Sequence, residues 1–185
     1  MQLKNQMIKC GIDYSMTSPG IAIVDGDSVK MFGLSSKKKE LGVHQISENI
    51  TLVIEQYPSD YTNNIERFKL LSKWITSKIP SDIKEINLEG YSMGSRAGQV
   101  FTIAENTTIL KLNLLANGIT INIIAPTSLK KFATGKGNAN KHLMMTTFCS
   151  KFEITNPNLS SFNDCVDAYF LSRYNCDFYE IIKTI

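Results

Sequence analysis

Four carboxylates of the 185-residue chain are placed where chemistry at a phosphate diester would use them: Asp13, Glu89, Asp164 and Asp167. Asp13 ends an apolar run that starts near Met7, and Glu89 directly follows the apolar run from Ile86 to Leu88. A charge at the end of a buried strand is costly unless it is paired or bound to a cation. Asp164 and Asp167 stand at i and i+3 of a helical pattern, so they share one face, opposite Val166 and Phe170. Hard divalent cations such as Mg²⁺ take oxygen ligands, usually only a few protein carboxylates, and leave other positions to water and substrate phosphate. Four acids from two strands and one helix could hold two such ions, the arrangement that supports in-line displacement at phosphorus. Mn²⁺ could substitute at the same oxygen site. No histidine or serine nucleophile is then required: His44 reads as a loop residue and His142 as a helix-surface residue beside Lys141.

Each acid taken singly has a plainer account. Asp13 could cap a turn through the amides of Tyr14 and Ser15, and a lone Gly-Ile-Asp leaves that account level with catalysis. Acids in the first turn of a helix oppose its dipole, which would explain Asp164 and Asp167 if they stood alone. Two acids at two strand ends are harder to dismiss.

Segment 125–141 supplies the opposite charge. Lys130, Lys136 and Lys141 suit sequence-independent contact with a nucleic-acid backbone. Amides around Gly135 and Gly137, with a helix start near Asn138, would suit a phosphate oxygen. The segment lacks the Walker pattern, and a GxG alone is weak evidence.

The elements that must position these residues follow from periodicity. Met7 to Tyr14, Ile21 to Val24 and Ser28 to Leu34 read as three strands of an antiparallel meander, with turns at Ser18-Pro19-Gly20 and Asp25-Gly26-Asp27. The polar stretch 35–40, including Lys37, Lys38 and Lys39, reads as a solvated loop. Residues 41–62 carry little pattern beyond a candidate strand from Ile50 to Ile54. Ile65, Phe68, Leu71, Ile75 and Ile79 recur at helical spacing from Asn63, and Pro80 ends that helix. Ile83 to Leu88 is a strand, Ala97 to Ala116 a long helix and Ile119 to Ile124 a strand. Pro126 opens a Lys- and Gly-rich loop, and helices follow from Asn138 to about Phe152 and from Asn163 to Tyr174. This order implies an α/β fold with a mixed central β-sheet flanked by helices, read as one domain over 1–185.

Bulk composition excludes little but points one way. Lys and Arg number 20 against 17 Asp and Glu, a net charge of +3, yet no acid lies between Glu105 and Glu153, where six lysines do. The four cysteines form no CxxC pair, and no apolar run approaches the roughly 18 residues of a membrane span. A soluble, intracellular, cytoplasmic protein with no membrane partner is expected.

With these residues placed, the chain resembles the RuvC family of Holliday junction resolvases, particularly the short versions encoded by phages. The resemblance spans nearly the whole chain. It is carried by Cys10-Gly11-Ile12-Asp13, Leu88-Glu89-Gly90-Tyr91, the Lys130 and Lys141 segment, and Asn163-Asp164-Cys165-Val166-Asp167. It implies a ribonuclease H-like fold, a homodimer, and Mg²⁺-dependent nicking of two opposed strands of a four-way DNA junction by the four carboxylates. Two sites related by a two-fold axis can cut a symmetric junction twice. By the same comparison Lys130 and Lys141 match basic residues near the scissile phosphate. The turn after Glu89 matches a loop with a base-stacking aromatic, making Tyr91 and Arg96 candidate DNA contacts. That turn departs from the family pattern, so a branched-DNA or flap nuclease of broader specificity stays open, as does a non-catalytic DNA-binding module of the same fold. Actin-like ATPases share the opening strand and hairpin but need two such domains around a nucleotide. The helix from Ala97 to Ala116 is the candidate dimer interface.

Overall fold

The computed structural model describes residues 8–91, 97–175, 178 and 180–183. Arg96 lies outside them. The described residues build one eight-stranded mixed sheet. In chain order its strands are β1 (Lys9–Asp13), β2 (Gly20–Asp25), β3 (Ser28–Ser35), β4 (Gly42–Ser47), β5 (Ile50–Gln56), β6 (Glu85–Glu89), β7 (Thr120–Ile124) and β8 (Glu180–Ile182). Across the sheet they run β4-β5-β3-β2-β1-β6-β7-β8. The helices are α1 (Asn64–Lys78), α2 (Ala97–Ala116), α3 (Pro126–Thr134), α4 (Lys141–Phe152) and α5 (Phe162–Arg173). The α/β class and the mixed sheet expected from the sequence are both observed.

The opening meander forms as read, β1 and β3 each pairing antiparallel with β2. Gly26 takes φ 59° in the β2–β3 turn, which a side chain would resist. β1 then pairs parallel with β6, and β6 with β7, so the strand ends bearing Asp13 and Glu89 point the same way. Ile12 pairs with Leu88, and both are fully buried in the core under α1 and α2, together with Ile21, Leu71, Ile75, Leu110 and Leu114. Alternation then turns Gly11, Asp13, Asn87 and Glu89 to the other face. There α3, α4 and α5 cover a second core around Phe148, Phe162 and Val166.

Helix boundaries follow capping chemistry. The Asn63 side chain accepts from the Glu66 amide at 3.0 Å while the Glu66 carboxylate accepts from the Thr62 amide at 2.7 Å, and Pro80 follows the last turn of α1. Ile65, expected on the buried face, is exposed.

Four readings need correction. The presumed loop after Pro126 is α3: proline at the first helical position costs no hydrogen bond, Leu129 is buried, and Gly135 closes the helix at φ 79°. The next helix starts at Lys141, not Asn138, because the Asn140 side chain accepts from the Leu143 amide at 2.8 Å and caps it. Within 35–47, a short 3₁₀ turn (Lys38–Glu40) precedes edge strand β4, which contains His44 and shows little alternation because so little of it is covered. Strand β8, which periodicity did not reveal, pairs with β7.

Candidate active site

Continuing the Ile12–Leu88 register by one residue sets Asp13 level with Glu89 at the ends of two adjacent parallel strands. Asp13 also pairs with Gly20 of β2, and Gly20 with Gly33 of β3. Helix α5 lies directly on this row. A Cβ at Gly20 would stand 2.4 Å from the Asp164 carbonyl oxygen, and one at Gly11 would stand 2.1 Å from that of Ala168. Only glycine lets the helix backbone approach so closely. The close approach brings the first turns of α5, with Asp164 and Asp167, over the strand ends that carry Asp13 and Glu89.

Side chains outside the four site carboxylates fix the two ends of α5. Asn87, beside Glu89 on β6, donates through Nδ2 to the carbonyls of Leu171 at 2.7 Å and Tyr174 at 2.9 Å, where the helix runs out of internal partners. Asn122 of β7 holds Asn87 in turn, donating to its Oδ1 at 3.0 Å. At the other end Glu40 accepts from Ser160 and from Ser35 at 2.9 Å, and pairs with Lys37 at 3.2 Å. Hydrogen bonding from Ser160 leads in pulling the Glu40 carboxyl down to about 2, with Ser35 and Lys37 adding to it.

The four acids share one electrostatic environment. Burial, then the charges of Glu89, Asp164 and Asp167, raise the Asp13 carboxyl well above its usual range, against the pull of Lys141. Burial raises Glu89, opposed by a hydrogen bond with Asp13 and by Lys130. Asp167 is pushed up to about 7, by burial first and then by Glu89 and Asp164. Lys141 Nζ lies 3.2 Å from Asp164 Oδ1, and although burial works against it, the surrounding acids raise its pKa. The Lys141 side chain is 71% exposed and that of Asp164 only 10%, so solvent screens the lysine end of the pair.

Burial and mutual repulsion thus favour the protonated forms of Asp13, Glu89 and Asp167. Buried carboxylates form a hard-oxygen donor set, which fits Mg²⁺ or Mn²⁺ in its chemistry; the nearby Cys165 thiol is directed instead to the Phe32 carbonyl at 3.3 Å. As the side chains stand, no three His, Cys, Asp or Glu among the described residues are arranged to hold a metal ion. Asp13 and Glu89 are instead bonded to one another, and Asp164 to Lys141.

The other expected site residues are distributed unevenly. Lys130 and Lys141 act on the acids, whereas Lys136 lies in the exposed connection between α3 and α4, its carbonyl accepting from the Ala139 amide at 3.1 Å. The expected phosphate cradle loses the Gly135 amide, which donates to the Lys131 carbonyl at 2.8 Å. Tyr91 is 41% exposed, with Lys111 Nζ 5.5 Å from its ring centre. In the sequence Gly20 reads only as a turn residue and Gly11 only as part of the Cys10–Asp13 motif, while Asn87 and Glu40 draw no notice. The available signals were a glycine at a similar depth in each of two adjacent strands and an asparagine inside the apolar run Ile86 to Leu88.

The fold is found in known structures. Thermus thermophilus RuvC superposes with a TM-score of 0.59 at 14% identity, over 89% of this chain and 92% of that one. T. thermophilus RuvC in complex with Holliday junction substrate gives 0.58 at 13%, over 90% and 92%. A Fowlpox virus resolvase, in complex with its substrate Holliday junction DNA, gives 0.48 at 15%, over 90% and 95%. No family model matches the sequence, and no curated protein does. The chain has the ribonuclease H-like fold, in the form seen in RuvC.

Proposed function

We propose that this chain is a divalent-metal-dependent endodeoxyribonuclease that resolves four-way DNA junctions by paired nicks. The observation that carries the proposal is the meeting of Asp13 and Glu89, on adjacent strand ends, with Asp164 and Asp167 on the helix laid across them. The fold shared with RuvC, one of whose structures holds Holliday junction substrate, supports the choice of substrate.

Asp13, Glu89, Asp164 and Asp167 would hold Mg²⁺ or Mn²⁺. When bound, such ions lower the pKa of an attacking water and stabilise the leaving oxygen. The chain itself supplies the rest. Its strand ends and α5 hold the acids at fixed separation, and a bound cation would offset the burial and mutual repulsion that raise Asp13, Glu89 and Asp167. Lys130 and Lys141 set positive charge beside the acids, where it offsets the approach of an anionic backbone. Tyr91 offers an exposed ring just after Glu89, suited to a base at a branch point.

A second copy of the chain completes the reading. Phe101 and Leu112 are 74% and 61% exposed on α2, on one stripe with Glu105 and Thr108. Exposed apolar groups at this spacing suit a two-fold contact that pairs two sites for two cuts.

Labelled four-way, three-way, flap and duplex DNAs, incubated with Mg²⁺ or with Mn²⁺ and mapped at nucleotide resolution, test the reading. Paired symmetric nicks on the four-way substrate alone support it. Equal cutting of flaps and three-way junctions points to the broader nuclease, and no cutting with either ion leaves a DNA-binding module.

A further inference from the structure

Lys37, Lys38 and Lys39 follow the end of β3, and the sheet brings that end to the site. β3 runs antiparallel to β2 and β2 to β1, while β6 runs parallel to β1, so Ser35, Asp13 and Glu89 all end their strands at one edge. β3 lies two strands from β1, on the side away from β6, a separation of about 10 Å. Helix α5 spans that interval. Its start passes over β3, where a Cβ added to Gly33 would stand 2.8 Å from the Ser161 Cβ, and Asp164 then lies over Gly20 of β2.

The turn after β3 is fastened to this helix start. The Ser35 hydroxyl accepts from the Lys37 amide at 3.1 Å and donates to the Glu40 carboxylate at 2.9 Å. Glu40 also accepts from Ser160, four residues before Asp164, and His44 Nε2 lies 2.8 Å from the Glu40 carbonyl oxygen. Lys37 Nζ, 3.2 Å from Glu40, answers the charge of this buried acid. Lys38 and Lys39 are left exposed, and among the described residues neither has a carboxylate within salt-bridge distance. Charges carried on a backbone already fixed lose less freedom when they bind an anion.

Positive charge stands on the other side of the acids as well. Lys130 belongs to α3, which follows β7, and it acts on Glu89 and Asp167. Across the sheet edge the carboxylates therefore lie between Lys130 toward β7 and the lysine pair toward β3.

We propose that Lys38 and Lys39 form a second contact for the DNA backbone, across the carboxylates from Lys130, so that bound DNA crosses the acids from the β3 side to the β7 side. Ammonium groups against phosphates make this contact independent of base sequence. That DNA lies over the acids rests on the nuclease reading; the lysine pair itself has no part in that reading.

The test compares the full chain with a Lys38→Gln/Lys39→Gln double variant and with Lys130→Gln, each binding a fluorescent four-way junction over a range of salt without divalent metal. The double variant should lose about two from the salt slope, and Lys130→Gln about one. A Lys38→Arg/Lys39→Arg variant should keep the wild-type slope, because it keeps both charges. Single neutral methylphosphonates walked along the junction then locate the contacts. The phosphates that cease to matter in the double variant should form a set separate from those lost in Lys130→Gln, with the nick mapped in Mg²⁺ between the two sets. An unchanged slope in the double variant, loss of the same phosphates in both variants, or a nick outside the interval overturns the proposal. If wild type cuts the junction while one of those results appears, the second contact falls and the nuclease reading stands. If wild type cuts no DNA but the double variant loses its slope and its own set of phosphates, the nuclease reading falls and the second contact stands.

Discussion

Gly20 lies so close beneath Asp164 that a Cβ added to it would stand 2.4 Å from the Asp164 carbonyl oxygen, an atom of helix backbone that cannot swing aside. Gly20→Ala should therefore lift the start of α5, costing about 1–3 kcal/mol of stability. Cutting should fall more than DNA binding, because Asp164 and Asp167 move away from Asp13 while Lys130 stays on α3. Thermal melts with paired binding and cleavage assays read both effects. Wild-type cleavage by Gly20→Ala contradicts the placement.

The raised carboxyl of Asp167 makes stability depend on pH in a definite direction. An unfolded aspartate titrates near about 3.9, whereas Asp167 titrates at about 7 in the fold. Across that window the folded state keeps a proton that the unfolded state has lost, so stability falls as pH rises. Asp13, also raised, acts in the same sense. Glu40 acts in the opposite sense, its contribution being present above about pH 4.3 and lost as pH falls toward about 2. Metal-free protein should melt highest near about pH 5, and Mg²⁺ should stabilise it more at about pH 8 than at about pH 5. A melting temperature that is flat with pH and indifferent to Mg²⁺ would contradict this.

Asp167→Asn separates function from stability. It removes one charge from a buried cluster of like charges, so metal-free protein at about pH 8 should gain on the order of 2 kcal/mol. Mg²⁺-dependent cutting should be lost while junction binding is retained, and Asp13→Asn should do the same to both activities. Circular dichroism melts and nicking assays on one preparation check the pair.

Lys141→Gln should weaken DNA binding across sequences and flatten its salt dependence. It should also move the acidic limb of the pH–rate profile to higher pH, because Lys141 favours the charged forms of Asp13, Glu89 and Asp167. A weaker-binding variant with an unmoved profile would assign the lysine to DNA alone.

Phe101→Glu combined with Leu112→Glu should yield a monomer by sedimentation, with single rather than paired nicks. A wild-type chain that sediments as a monomer rules out the α2 contact.

Legibility in the sequence followed burial. β1 and β6 could be read from their apolar runs and α2 from apolar residues recurring on one helical face, and Asp13 and Glu89 stood out by ending such runs. β4 could not, since an edge strand with exposed Val43 carries little alternation. α3 was hidden by its lysines, although Pro126 and Gly135 mark its two ends. Gly20 was read as turn punctuation, and its use depends on a helix that arrives about 140 residues later. Asn87 lacked a visible partner for the same reason, its acceptors being carbonyls at the far end of the chain.

The double anchorage of α5 bears on how the molecule comes apart. Its end is tied to the central strand β6 through Asn87, and the segment entering it is tied to the end of β3 through Glu40, Ser35 and Ser160. A helix fixed at both ends to the sheet has little scope to open on its own, so its amides should exchange with solvent only through global unfolding. Two of the four carboxylates ride on that helix. Under heat or denaturant the site should therefore persist until the whole sheet gives way, and vanish with it in one cooperative transition.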